Sequence, residues 1–95
     1  MDLDYKVQII LDGEKVAETQ YGAVSFASKA ATHIADDAAL EFVEECGRHE
    51  SVIRNMDVRL VTPHDNYVRS CRVANDIDMD IVGNYVAFLV KQYRS

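Results

Sequence analysis

Two β-rich segments, each folded back on a turn and each followed by a stretch of helical period, constrain this chain more than any other feature. The first, YKVQIILDGEKVAETQYG, sets Asp12-Gly13 between two runs of strand formers, the pattern of a β-hairpin. A two-residue turn would place Glu18 opposite Val7 on the apolar face. A three-residue loop, Leu11-Asp12-Gly13, with Gly13 left-handed in a G1 bulge, pairs Val7 with Ala17 and Lys6 with Glu18. That register satisfies both faces and is the one expected. The second segment, MDVRLVTPHDNYVRSCRV, predicts strands near 56–62 and 67–73, with Pro63 and Asp65-Asn66 supplying the turn. A four-residue loop pairs Val58 with Cys71, Met56 with Val73 and Asp57 with Arg72.

The stretch SFASKAATHIADDAALEFVEECG predicts one helix near 26–46, with Ser25 as N-cap and Gly47 as the C′ residue. Its apolar positions form two rows of step four. One holds Phe26, Ala30, Ile34, Ala38, Phe42 and Cys46, the other Ala27, Ala31, Ala35, Ala39 and Val43. At 3.6 residues per turn such rows drift by about 40° per step, so the stripe winds around the helix. The remaining side carries Lys29, His33, Asp36, Asp37, Glu41, Glu44 and Arg48. DMDIVGNYVAFLVKQY predicts a last helix near 79–93 with a wide apolar arc: Ile81, Val82, Tyr85, Val86, Phe88, Leu89 and Tyr93. Gly83 and Ala87 offer a small-residue step to meet the alanine seam. The predicted fold is α+β, in the order ββαββα: a four-stranded antiparallel sheet with two helices packed on one face, a single domain over residues 1–95.

Composition narrows the function class. With 48% apolar and 27% charged residues the chain is an ordinary globular one. No run of about 18 apolar residues is present, so no membrane span is expected. MDLDYK lacks the basic and apolar regions of a secretory signal. Cys46 and Cys71 match neither a disulfide framework nor a zinc site, and are expected as small buried thiols in a cytoplasmic protein. Sixteen acidic against ten basic side chains leave a net charge of −6. That balance disfavours non-specific binding to DNA, whose phosphates need a basic counterface, and fits plain solubility, a basic protein partner or, in the extreme case, imitation of nucleic acid.

The stretch NDIDMDIVGNY is the most site-like. Asp76, Asp78 and Asp80 stand where an EF-hand places its first three ligands, but Ile81 occupies the glycine position and Ala87 that of the chelating glutamate. No calcium, other metal or cofactor is expected. Asp78 reads instead as an N-cap and Asp80 as a first-turn acid. His33 and Asp37 are four apart, as expected on a solvated helix side, and His64 sits in a turn. Phosphate-loop, dinucleotide and nucleophile-elbow motifs are absent, so no enzyme is expected.

Two surfaces remain as candidates for binding. The acidic one comprises Asp36, Asp37, Glu41, Glu44 and Glu45 on the long helix with Asp76, Asp78 and Asp80. The other is the sheet face turned from the helices, with Lys6, Gln8, Ile10, Val16, Arg59, Val61, Val68, Ser70 and Arg72, an exposed mixture of apolar and basic groups. The leading expectation is a non-enzymatic interaction module. Its acidic side steers it to a basic partner and its sheet face provides a possible homodimer contact. Such a chain suits a phage or mobile-element product that blocks a host factor, including a nucleic-acid-binding one. The alternative is an RNA-binding sheet using Lys6, Arg59 and Arg72. It needs exposed aromatics, whereas Tyr5, Tyr21 and Tyr67 are predicted to face inward.

Overall fold

The computed structural model describes residues 4–46, 53–74 and 79–95, with only the backbone of Cys46, Ile53, Arg54, Val73, Ala74, Met79 and Asp80. The elements are β1 (Tyr5–Leu11), β2 (Glu14–Tyr21), α1 (Ala23–Ser28), α2 (Ala31–Cys46), β3 (Ile53–Val61), β4 (Asn66–Ala74) and α3 (Met79–Arg94). The four strands form one antiparallel sheet in the order β2-β1-β3-β4. The first strand of each hairpin is therefore central and the second is an edge. Both long helices lie on one face, α2 over the first hairpin and α3 over the second, and they pack on each other. The expected ββαββα architecture is present.

Both hairpins reach this arrangement in registers two residues from those expected. Asp12 and Gly13 both have positive φ, 49° and 83°, the signature of a two-residue type I′ turn. The ladder starts with Leu11 opposite Glu14 and Ile10 opposite Lys15, then shifts between Ile9 and Ile10. Beyond the shift Ile9 faces Ala17, Val7 faces Thr19 and Gln8 faces Glu18. The extra residue thus sits inside β2, at Val16, and not in the loop. This bulge resolves the conflict posed by a two-residue turn, because it returns Ala17, Thr19 and Tyr21 to the face shared by Val7 and Ile9. In the second hairpin the loop has the expected four residues but is Thr62 to Asp65, so Val58 faces Arg69, Met56 faces Cys71 and Asp57 faces Ser70. Thr62 selects that loop: its hydroxyl donates to the Asp65 carbonyl and accepts from the amides of His64 and Asp65.

The helix expected over 26–46 is broken. Lys29 leaves helical geometry at φ −85°, ψ 142°, and α2 begins at Ala31. Over the four steps from Phe26 to Phe42 an unbroken row would rotate by about 160°, carrying Phe26 away from the sheet that Phe42 faces. The break re-aims it. Phe26 stacks on Tyr5 with ring centroids 4.3 Å apart and meets Tyr21 and Tyr93 edge-on. Ala27 and Ala30, expected in the stripe, are exposed. Ser25 lies within α1, whose N-cap is Gly22. From the C-terminal end of α3, Arg94 Nη2 donates to the carbonyls of Phe26 and Lys29, each at 2.6 Å, and so ties down the end of α1.

One core joins the layers: Val7, Ile9, Leu11 and Ala17 from the first hairpin, Met56, Val58 and Leu60 from β3, and Ile34, Ala38 and Phe42 from α2 with Val82, Val86, Leu89 and Val90 from α3. The alanine seam meets α3 as expected, with Gly83 opposite Ala35. Among the described residues no helix is long and apolar enough to cross a membrane. Gly47, Arg48, Asp76 and Asp78 lie outside the described residues, and with them the C′ glycine, the N-cap and the calcium-like loop.

Candidate functional site

Along α2 the core takes Ile34, Ala35, Ala38, Ala39 and Phe42. The flank left over carries Asp37, Leu40, Glu41 and Glu44, which helical spacing brings into one line. Because α2 lies over the first hairpin, that flank stands beside β2, the edge strand. Between them runs an open groove of about 410 Å³, walled by Glu18, Thr19, Gln20 and Tyr21 of β2 and by Asp37, Leu40, Glu41 and Glu44 of α2. Leu40 is 54% exposed in its middle. The α2 segment from Ala31 to Cys46 contains five acids and no lysine or arginine.

One hydrogen bond ties the two walls of the groove together, and a cluster on the outer face fixes Glu18. The Tyr21 hydroxyl donates to Asp37 Oδ2 at 2.8 Å, linking the end of β2 to α2. Burial, reinforced by this carboxylate, pushes the Tyr21 phenol well above its ordinary value, so it stays a donor. On the strand, Glu18 Oε1 accepts from Gln8 Nε2 at 2.9 Å and from Lys15 Nζ at 3.1 Å, and Oε2 accepts from Gln20 Nε2. The Gln8 bond leads in holding its carboxyl down to about 2, against the cost of burial. Thr19 Oγ1, on the same wall, is buried without a hydrogen-bond partner.

The acidic surface expected from sequence is thereby divided. Asp37, Glu41 and Glu44 line the groove. Asp36 is on the other flank of α2, in a shallow cleft with Thr32, Ala35, Ala39, Gly83, Asn84 and Ala87. Glu45 is exposed and lines neither. Asp76 and Asp78 fall outside the described residues, as does the side chain of Asp80. Glu18 was not among the expected acids. Its place in the groove follows from β2 being an edge strand, which the β1–β3 pairing decides and no local pattern announces.

The outer sheet face differs from the apolar and basic patch expected. Cross-strand rows read Gln20, Lys6, Val61, Asn66, then Glu18, Gln8, Arg59, Val68, then Lys15, Ile10, Asp57, Ser70. Ile10 is only 7% exposed and Val16 and Val61 are half-buried, leaving Val68, at 49%, as the one exposed member of the expected apolar set. Glu18 with its amide partners and Asp57, which accepts from Ser70 Oγ at 2.6 Å, make the face a mixed polar one. Lys6 and Arg59 are half-buried and Arg72 is exposed. Tyr5, Tyr21 and Tyr67 all join the aromatic contacts on the helix side, as expected.

The opposite edge is chemically different. β4 reads NYVRSCRVA, with two arginines and no acid. Arg69 lies over the rings of Phe88 and Tyr85 at 4.3 and 5.1 Å, and Phe88 is 47% exposed. No protein family, curated protein or solved structure matches the chain.

Proposed function

We propose that the protein is a non-enzymatic interaction module that seats an extended, basic segment of a protein partner in the groove between β2 and α2. The observation that carries this reading is the placement of three carboxylates, Asp37, Glu41 and Glu44, around an exposed leucine and beside a sheet edge whose outer face carries Glu18. An edge strand offers main-chain donors and acceptors that a second extended chain can pair with. Leu40 supplies an apolar contact, and the carboxylates favour lysine or arginine on the incoming segment while repelling acidic ones. The module acts by occupying the partner's surface, which suits a product that blocks a factor of the host cell.

The test uses a synthetic peptide of alternating lysine and valine. It should associate with the protein at a rate that falls as salt rises, since exposed charges are screened over about 10 Å at 0.1 M. In E41K/E44K, which leaves the Tyr21–Asp37 bond alone, association should slow by about tenfold or more with the fold intact. The same peptide methylated on alternate backbone nitrogens keeps its charge and loses its donors, and should bind far more weakly. Association that is unchanged in E41K/E44K retires the groove as the site.

A further inference from the structure

The two edges of the sheet are complementary to each other. The β2 edge is acidic, with Glu18 on the outer face and Asp37, Glu41 and Glu44 beside Leu40 on the helix side. The β4 edge is basic, with Arg72 on the outer face and Arg69 beside exposed Phe88 on the helix side. Three of the four large hydrophobic side chains that are strongly exposed among the described residues, Leu40, Val68 and Phe88, stand at these edges. Strand direction agrees with the chemistry. β2 and β3 both run antiparallel to β1, and β4 runs antiparallel to β3, so β2 and β4 point in opposite directions. A second copy shifted sideways along the sheet, without being turned over, therefore presents β4 antiparallel to β2 and keeps its helices on the same face.

Resting on the groove reading above, we infer that a second copy of this chain is an occupant of the groove, its β4 edge adding to the β2 edge of the first. Arg69 and Phe88 of one copy then lie on the helix side with Glu41, Glu44 and Leu40 of the other, and Arg72 shares the outer face with Glu18. The contact joins two different surfaces, so each added copy leaves one acidic and one basic edge free. Growth continues beyond two chains unless the rotation between copies closes a ring.

Sedimentation of the full chain, at low and high salt and over a wide concentration range, tests this directly. Wild type should show an average mass that rises past two chains with concentration at low salt and falls back at high salt. E41K/E44K makes both edges basic and R69E/R72E makes both acidic, so each alone should be monomeric. Mixed in equal amounts they should assemble again, because each then offers the edge that the other lacks. All four sites are on the surface, and circular dichroism confirms that each variant is folded. If a double variant is not, E41Q/E44Q and R69Q/R72Q replace the pair and should each weaken assembly. Wild type that stays monomeric at millimolar concentration and low salt, a mass that stops at two chains, or reversed variants that fail to assemble on mixing each overturn the inference. The lysine–valine peptide separates the two levels. A chain that binds it through Glu41 and Glu44 yet remains monomeric overturns self-association alone, whereas a chain that neither binds it nor assembles overturns both.

Discussion

The Tyr21 hydroxyl donates to Asp37 Oδ2 across the boundary between the β2 edge and α2, at 2.8 Å. It joins the two walls of the groove, and it does so with a charged acceptor and a largely buried donor. Tyr21→Phe keeps the ring against Phe26 and removes only the bond, so stability should fall by about 1–2 kcal/mol in urea unfolding with the slope unchanged. The phenol's raised pKa fixes the sign at alkaline pH. The contribution is complete below the ordinary tyrosine value of 10.0 and declines as pH rises toward the higher folded value. Wild type should therefore lose stability faster than Tyr21→Phe above about pH 10. Parallel curves would show that the bond contributes nothing.

Glu18 predicts the opposite pH dependence. Its carboxyl, 16% exposed, is held at about 2 against an ordinary 4.5. The stability it adds is complete above pH 4.5 and is lost as pH falls toward 2. Allowing for solvent screening, that amounts to about 1–2 kcal/mol. Glu18→Gln should be less stable than wild type by this amount at neutral pH, with the gap closing near pH 2. A gap that persists to pH 2 would assign the loss to packing instead of charge.

The contact between α2 and α3 separates two kinds of small residue. A Cβ added at Gly83 would stand 4.0 Å from Ala35 Cβ, an ordinary contact, so Gly83→Ala should raise stability by about 0.5–1 kcal/mol through helix propensity. Ala38 is 1% exposed within the core, and Ala38→Leu should cost about 1–3 kcal/mol by overpacking. Thermal melts of the two variants moving in the same direction would contradict this account of the seam.

Arg94 should control α1 locally. Arg94→Ala removes both bonds to the Phe26 and Lys29 carbonyls, each worth about 1 kcal/mol net. The amides of Phe26 and Lys29, which bond to Gly22 and Ser25, should exchange with solvent about tenfold faster or more, while those of β1 are unchanged. Lysine at 94 should restore little, because a single ammonium lacks the planar fork of arginine. Equal acceleration throughout the sheet would mean that Arg94 supports the whole fold and not this helix.

Periodicity in the sequence determined which residues share a face. Val7, Ile9 and Ala17, Met56, Val58 and Leu60, and the Ile34-to-Phe42 side of α2 are buried as their spacing required, and Tyr5, Tyr21 and Tyr67 point to the helices. Both hairpins nonetheless slipped by two residues, because a shift of two preserves the alternation on which that reading rests. A bulge at Val16 and the Thr62 hydroxyl made the choice. The break after α1 was hidden for a related reason: Phe26 and Phe42 fit one sequence row, and only a stacked partner on β1 and an arginine 65 residues beyond Lys29 send the chain off that row. The groove was half visible. Asp37, Glu41 and Glu44 are neighbours by helical spacing alone. That Glu18 stands at the same edge, on its outer face, and that Asp36 does not, depends on which strands are central and which helix flank meets an edge, and those are set by long-range pairing that a local pattern does not encode.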